Sequence, residues 1–571
     1  MNPKKVYPPK WPIRFLRLIL RADYSEEIQG DMEEVFYDNL EEGTEMKARW
    51  LFVLDTLKLI RPNLLRNSKW ILQLNFIAMT INNLKIAFRT LLKYKTHSAI
   101  NLIGLAIGLT IGGFITLYVS DELSFDKFHE NGNRIFKVTS FNDKGGRMET
   151  NAWPIGYKLK TEFPGVEAVV YSRTADRSLK LKQNNKSIDH KIHYVSEDFF
   201  NIFSFDLIEG DPKTALKDPY SVVITESMKQ IYFDDQNVVG KTMTFRDTID
   251  FKITGVVKEI PRNSHVQFDM LFSFSTYEKL AEWFSYTEGW GNFNVRNYVL
   301  LKENADAIAT EQKAEGLYVE NVGDWLEEMG ITMYVDFIPM EEIYLKSGVH
   351  NSFGPSGSED QVKTVSMIAI FALLLACINY INLSTARSAN RAKEVGIKKV
   401  TGSSRLSLIS QFLMESYLLT FIAFLISIVM MYLLLPYFNE LIDRNYLIAD
   451  FLNPKFVFSI LALGFIIALL AGYYPAWVIS GFKPLVAIKG NMNINTKGLG
   501  LRKTLIIFQF FISAGLLLAT FLVLSQINFM REQDLGFAKE QILVVDAVNS
   551  KTRASHTTYK TELERLTSVQ S

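Results

Sequence analysis

The groups that could carry chemistry are few, and their spacing argues against each reaction class in turn. Val239-Gly240-Lys241-Thr242 has the ending of a phosphate-cradling loop. Such a loop also needs a glycine five positions ahead of Gly240, so that backbone amides can turn toward the phosphates, and that position is Asp235. Residues Thr242 to Arg246 then read as a strand, not as a helix whose positive N-terminus would face an anion. His190 and His193 stand three apart in a strand-like stretch, so they point to opposite faces and cannot share a metal without distortion. They read as surface or edge histidines. His97, His129, His265, His350 and His556 are scattered singly, and no GxSxG-type nucleophile turn is present. No catalytic residue, metal site or cofactor is expected.

Glu415, in Gln411-Phe-Leu-Met-Glu-Ser416, is different because it stands at the inner end of an apolar run. A carboxylate at mid-bilayer costs roughly 2.5 to 3.5 kcal/mol, whereas at the interface it stays hydrated or pairs with a cation. Arg405 is one such nearby cation. The functional alternative is a contact that senses movement of the adjacent loop.

The elements that position these groups are set by the distribution of charge. Five runs contain no Asp, Glu, Lys or Arg: Ser98 to Ser120, Thr364 to Ala386, Ser416 to Asn439, Phe456 to Phe482 and Thr504 to Met530. A bilayer core needs roughly 20 apolar residues in helix, so each is long enough to span. The spans are placed at 98–120, 364–386, 408–435, 456–480 and 504–528. Lys85, Arg89, Lys93 and Lys95 precede the first span, and Asp121, Glu122 and Asp126 follow it. Positive charge marks the cytoplasmic side, so the N-terminus is expected inside. Alternation then puts the loop at 387–407 inside, with Arg387, Arg391, Lys393, Lys398, Lys399 and Arg405 against the single acid Glu394. The loop at 481–503 agrees, with five basic residues from Lys483 to Lys503 and no acid.

A net charge of +1 leaves no basic patch beyond what membrane orientation explains, so nucleic acid is not an expected partner. No cleavable signal is evident, and the first span is expected to act as its own insertion signal. The single cysteine, Cys377, lies inside a span, so the outer domain must be held by its own core without disulfides. Gly104, Gly108 and Gly112 recur every four residues in the first span, which strips one face to backbone and lets a neighbouring helix approach closely.

Residues 1–66 read as a cytoplasmic prefix of two or three short amphipathic helices. Asp23 and Glu26 suit a capping arrangement ahead of the Ile28, Met32, Val35, Phe36 stripe. Residues 69–97 read as an interfacial helix, with Ile71, Leu74, Ile77, Ile81, Leu84 and Phe88 at helical spacing. Residues 121–363 form an extracytoplasmic α/β domain. Strands are expected at 134–139, 188–195, 221–225, 251–257 and 298–301, and helices at 155–162, 277–284 and 306–329. The fold class is therefore a membrane protein with five transmembrane α-helices, a large α/β extracytoplasmic domain and a small helical cytoplasmic module.

An internal echo appears after the fifth span. Leu123-Ser-Phe-Asp-Lys127 and Arg134-Ile-Phe-Lys-Val138 are answered by Leu535-Gly-Phe-Ala-Lys539 and Gln541-Ile-Leu-Val-Val545. Residues 529–571 are thus expected to open a second extracytoplasmic domain that Ser571 leaves incomplete.

The inner loop, Ser384 to Arg405, mixes charges and small residues without an apolar stripe and by itself reads as a solvated connector. Its sequence, Arg391-Ala-Lys-Glu-Val-Gly-Ile-Lys-Lys-Val-Thr-Gly-Ser-Ser-Arg405, directly follows a span ending Cys377-Ile-Asn-Tyr-Ile-Asn-Leu-Ser384. This closely resembles the first cytoplasmic loop of FtsX-type and MacB-like ABC transporter permeases, with Thr401 where that family usually has an apolar residue. Asp121 to His129, Gly255 to His265 and Lys483 to Gly490 resemble further segments of the same family. Residues Pro8 to Pro62 look like the prefix found on some members.

The resemblance implies a permease of an exporter or mechanotransmission complex in the bacterial inner membrane, handling peptide, drug or lipoprotein cargo. ATP hydrolysis is expected in a separate cytoplasmic ABC ATPase subunit. The inner loop would be a short coupling helix docked on that subunit through Arg391, Lys393, Glu394, Gly396, Lys398, Lys399 and Gly402. Stalk-like extensions of the first two spans are expected near 120–125 and 360–363. Membrane lipid, a periplasmic adaptor or outer-membrane channel, and a second copy or second repeat complete the expected partners. The alternative is a membrane sensor or scaffold that regulates an envelope or signalling partner without transport.

Overall fold

A computed structural model describes residues 7–19, 22–41, 43–58, 69–175, 190–234, 237–245, 249–281, 284–349, 351–386, 388–481, 496–533 and 555–566. The chain divides into two compact units, one of Met1–Gly113 with Ile370–Ala519 and one of Phe114–Ala369 with Thr520–Ser571.

Among the described residues five helices are long and apolar enough to cross a membrane: Lys95–Glu122, Glu359–Ala386, Arg405–Ile442, Pro454–Ser480 and, within Thr496–Glu532, Gly500–Glu532. They are called the first to fifth apolar helices below. Four contain their charge-poor run and continue past it at one end or both, while the fourth begins two residues ahead of its run and ends at Ser480. The third has 38 residues, which at 1.5 Å per residue is about 57 Å, well over the roughly 30 Å of a hydrocarbon core. Ser404 caps its start, accepting from Ser407 N at 3.2 Å, and its end turns through Asp443 at φ +51°. The core of this unit is shared by the first four helices: Leu105 and Leu109, Cys377 and Tyr380, Leu419 and Ala423, Ile467 and Ala471. The fifth helix stays largely uncovered, with Phe510 and Phe511 exposed. Its Gln509 Oε1 accepts from Asn382 Nδ2 at 3.3 Å, and Ile512 is buried.

Ahead of these stand three helices, Lys10–Ile19, Ala22–Glu41 and Glu45–Lys58, gathered on Met32, Phe36, Ala48 and Phe52. Val35, assigned from the sequence to the same stripe, is exposed. Asp23 falls inside the second of these helices, and its side chain lies outside the described residues. Helix Lys69–Lys93 follows and packs along the third apolar helix, burying Asn83 and Ala87 while Ile81, Leu84, Phe88 and Leu92 face outward.

The other unit is built on a mixed sheet. Its strands are β1 (Ile135–Asn142), β2 (Arg147–Met148), β3 (Asn151–Ala152), β4 (Val166–Thr174), β5 (Ile192–Val195), β6 (Leu207–Gly210), β7 (Ser221–Thr225), β8 (Thr242–Phe245), β9 (Ile249–Val257), β10 (Met270–Ser273), β11 (Phe293–Leu301) and β12 (Met333–Pro339). The order is β12-β1-β11-β4-β5-β10-β7-β9-β6, with β2 on β1, β3 on β11 and β8 on β9. The pairs β5–β10 and β7–β9 are parallel and the others antiparallel. Alternation along the strands sends Ala168, Val170, Leu271, Tyr298 and Leu300 to one core, and Val169, Tyr171, Val299 and Leu301 to another on the opposite face. A third cluster, Met270 and Phe272 with Phe245 and Phe251, covers the far end of that second face.

The strand after Gly240 is β8, as its alternation suggested, and Gly240 turns into it at φ +92°. The helical stretch 306–329 is two helices, Ala307–Glu315 and Leu317–Glu328, separated at Gly316. His190 and His193 are buried, which corrects the surface reading. His190 shares a 2.7 Å hydrogen bond with Tyr232 Oη, and the His193 ring lies 4.3 Å from that of Phe353. The second copies of the repeat, Leu535 to Val545, lie outside the described residues.

Candidate functional site

The inner loop is a helix, Ser388–Val400. It ends where Gly402 takes φ +96°, a left-handed conformation that glycine adopts without steric cost, and Ser403 N returns to Lys398 O at 2.9 Å. One face is fixed. Val395 is buried against Leu408, Phe412, Ala476 and Ile479. The opposite face carries Lys393 and Glu394, both exposed, together with exposed Ile397 and Val400 and, just beyond, Leu406. Ile397 and Val400 stand three apart among charges, so they form no apolar stripe in the sequence. Gly396 is buried, and Lys399 is half-buried.

Two polar links tie this helix to the third apolar helix. Arg391 Nη1 meets Glu415 Oε2 at 2.5 Å, both side chains nearly buried, and its guanidinium sits over the Phe412 ring at 5.4 Å. Lys398 Nζ donates to Gln411 Oε1 at 2.9 Å and to Glu394 Oε1 at 2.8 Å. Glu415 is therefore not paired with Arg405. Arg405 turns instead to the fourth helix, with Nε 3.5 Å from Ser480 Oγ and the guanidinium over Trp477. The inner helix folds back along its successor and brings Arg391 closer than the nearer residue in sequence.

A cavity of about 60 Å³ opens beside this pair, lined by His97, Asn101, Tyr380, Ser384, Arg391 and Glu415 among others. Tyr380 Oη and Ser416 Oγ, also on its wall, are 2.7 Å apart. Gly472 of the fourth helix makes this approach feasible, since a Cβ there would stand 2.6 Å from Ser416 Cβ. The glycines of the first helix face the second: a Cβ on Gly108 would lie 2.8 Å from Ala376 Cβ, on Gly112 3.1 Å from Leu373 Cδ2, and on Gly104 3.4 Å from Asn379 Nδ2.

A second junction lies in the α/β unit, where the exit of the first apolar helix and the approach to the second meet one turn, Pro261 to Gln267. Asp126, at φ +59°, donates its N–H to Asn263 O at 2.9 Å. Its carboxylate accepts from His265 N at 3.0 Å and Ser264 Oγ at 3.2 Å and stands 2.8 Å from His265 Nδ1. His265 Nε2 is 3.1 Å from Tyr298 Oη on β11. From the other side, Asn351 Nδ2 donates to His265 O at 2.8 Å and Gln267 N to Phe353 O at 2.9 Å. Tyr344 stacks on Phe125 and donates to Glu122 Oε2 at 2.9 Å, while Gly357 fits so closely that a Cβ would meet the Tyr344 ring at 2.6 Å.

His129 completes this junction, accepting from Ser204 N at 3.1 Å. Burial pushes its pKa down to about 4, against an upward pull from Asp126 and a further downward push from His265. Among the described residues no three His, Cys, Asp or Glu side chains gather as a metal site.

Two family models match, the MacB-like periplasmic core domain over residues 98–317 and the FtsX-like permease C-terminal domain over residues 366–484. The chain belongs to the MacB-like, FtsX-type ABC transporter permeases. The macrolide export ATP-binding/permease protein MacB of Vibrio parahaemolyticus is 21% identical over 352 residues, covering 59% of this chain and 49% of that protein. This permease thus spans about half the length of that relative. The ABC transporter permease YknZ of Bacillus subtilis is 21% identical over 360 residues, covering 61% of this chain and 84% of YknZ. Among solved structures, a domain of a permease protein from Porphyromonas gingivalis is 20% identical with a TM-score of 0.32, covering 38% of this chain and 92% of that domain.

Proposed function

We propose that this permease couples ATP hydrolysis in a separate cytoplasmic ATPase subunit to movement of its α/β domain, which handles a peptide, drug or lipoprotein cargo. The observation that carries the reading is the two-sided inner helix. One face is bolted to the third apolar helix through Val395, Arg391 and Lys398, while the other leaves Ile397, Val400, Lys393 and Glu394 uncovered. A helix that is rigid toward its own chain and apolar toward the outside suits a partner that pushes on it. Gly402 frees the chain to turn immediately after it.

The positive loops support a cytoplasmic position for this helix and the N-terminal module, with the α/β domain outside. Gly104, Gly108 and Gly112 serve as the packing face that makes the first two apolar helices move together. The junction at Asp126, His265 and Asn351 receives that motion on the outer side. A second copy, or a second half carried by a longer chain, supplies the symmetric partner for the uncovered fifth helix. An adaptor or outer-membrane channel is placed by analogy with exporters.

The test is co-purification with the ATPase subunit. Ile397→Asp, Val400→Asp and Lys393→Glu, all at exposed positions, are expected to abolish recovery of the ATPase while the permease stays folded. Unchanged recovery in all of them overturns the assignment. Stimulation of ATP turnover by the purified permease supports transport coupling, and ligand-dependent recruitment without turnover supports the sensor instead.

A further inference from the structure

The α/β domain buries two cations that share one carboxylate. Lys137 on β1 is wholly buried and Arg296 on β11 is 3% exposed. Both belong to the sheet face that carries Ile135, Tyr298 and Leu300. Glu149 is the acid between them, with Oε2 3.5 Å from Lys137 Nζ and Oε1 3.6 Å from Arg296 Nη1. The Glu149 carboxylate is the partner of the Lys137 ammonium, at the long distance of 3.5 Å, and Arg296 Nε has no hydrogen-bond partner. Arg296 spends its other donors on Thr174 Oγ1 at 2.8 Å and Ser352 Oγ at 2.5 Å.

Two buried cations against one carboxylate leave one positive charge in excess, which costs stability unless a further charge of opposite sign completes the site. Loss of the lysine proton does not resolve the imbalance. Burial lowers the Lys137 pKa only to about 8, with Glu149 pulling it back up and Arg296 pushing it down, so the cation persists at neutral pH. The groups of this cluster that reach solvent are Glu149, whose side chain is 14% exposed, and Ser352, which is exposed. Ser352 donates its N–H and hydroxyl to Glu149.

We propose that Lys137 and Arg296 form a binding site for one external carboxylate group, which enters past Ser352 and accepts from Lys137 Nζ and Arg296 Nε. A carboxylate has about four lone-pair positions, enough for both donors. A planar guanidinium beside a point-like ammonium favours a carboxylate over a neutral amide, because each contact is charge-assisted. Ser352 lies in the loop that leads to the second apolar helix, next to Asn351 and Phe353, which are bonded to the turn at His265 and Gln267. Displacing Ser352 therefore loosens the loop at the transmission junction. That consequence rests on the proposed coupling, whereas the binding site does not.

The experiment is a calorimetric titration of the full chain in phosphatidylcholine nanodiscs with three probes: acetyl-dialanine as its free carboxylate, the same dipeptide as its amide, and acetate. Saturable binding of the carboxylate dipeptide is expected, with no binding of the amide. Lys137→Met, an apolar replacement of similar length, is expected to weaken binding at least about tenfold while melting no lower than the parent. Glu149→Gln removes the internal competitor and is expected to tighten binding about tenfold. Acetate bound as tightly as the dipeptide assigns the site to small organic acids, and weaker acetate assigns it to peptide C-termini. Equal binding of amide and carboxylate, titrations of both variants that match the parent, or no saturable binding in Glu149→Gln overturns the proposal. Loss of ATPase coupling with carboxylate binding intact overturns only the coupling.

Discussion

Arg391 Nη1 and Glu415 Oε2 stand 2.5 Å apart and join the inner helix to the third apolar helix at a point where both side chains are nearly buried. Removing one partner leaves the other charge without compensation in a poorly hydrated site. Arg391→Met is therefore expected to cost about 3 kcal/mol, and Glu415→Met a similar amount. The double variant Arg391→Met, Glu415→Met should recover most of that loss, because no unpaired charge remains. Thermal unfolding in detergent measures the cycle. If the double variant is as unstable as the sum of the singles, the pair does not act as a unit. In the presence of the ATPase subunit the double variant should still stimulate ATP turnover poorly, since stability is restored and the rigid link is not.

Close approach of the first two apolar helices gives a second prediction. A Cβ on Gly108 would lie 2.8 Å from Ala376 Cβ, well inside contact distance. Gly108→Ala is expected to cost roughly 1 to 3 kcal/mol by overpacking. Ala376→Gly on the facing helix should rescue it, because the clash is between these two methyl positions. A Gly108→Ala protein that melts with the parent would show that the helices separate without penalty.

How much of this was legible in the sequence depends on whether a feature announces itself locally. The five apolar runs did, because a bilayer demands an uninterrupted length, and strands such as Ser221 to Thr225 did, because a short run of β-branched residues is a local signal. The partner of Glu415 did not. Arg405 is ten residues away and Arg391 twenty-four, and only the reversal of chain direction after Gly402 makes the distant one the neighbour. Lys137 and Arg296 were equally hidden, since a cation inside a strand reads as an outward residue until both sheet faces prove to be covered. The histidines at 190 and 193 were misread for that same reason. The outer junction was visible only in pieces: Asp126 and His265 are 139 residues apart in the chain, and a single sequence carries no sign that they meet.

Asp126 supplies a third prediction because it does two things at once. Its backbone holds φ +59°, and its buried carboxylate accepts from His265 N and Ser264 Oγ. Asp126→Ala loses the acceptor and keeps a Cβ in a conformation that alanine tolerates poorly, and is expected to cost about 3 kcal/mol. Asp126→Gly loses the acceptor without the backbone penalty and should be about 1 kcal/mol less harmful. Hydrogen exchange of peptides covering 121–129 and 261–267 should rise together in both variants, because the two segments protect each other. Exchange that rises in one segment alone would contradict a shared clamp.

The last prediction concerns pH and rests on His129. Its folded pKa is pushed down to about 4 by burial, while in the unfolded chain the same ring takes up its proton near 6.5. Between these values the unfolded chain binds a proton that the folded chain refuses, so stability falls as pH drops from about 6.5 to about 4 and the loss is complete below that window. At 1.36 kcal/mol per unit the full effect is about 3 kcal/mol. The groups facing the ring are Asp126, which favours its protonation, and His265, which opposes it. Glu149 and Asp269, whose folded pKa values are also lowered, lose their contribution only further into acid, so they do not mimic the effect in its upper half. His129→Asn keeps an acceptor for Ser204 N and has no proton to gain. Hydrogen exchange of peptides covering 121–142 at pH 6.5 and 5, corrected for the intrinsic rate, should show a destabilisation in the parent that His129→Asn removes. An equal pH response in both proteins would assign the acid sensitivity to other groups and leave His129 as a packing residue among Phe128, Phe203 and Phe205.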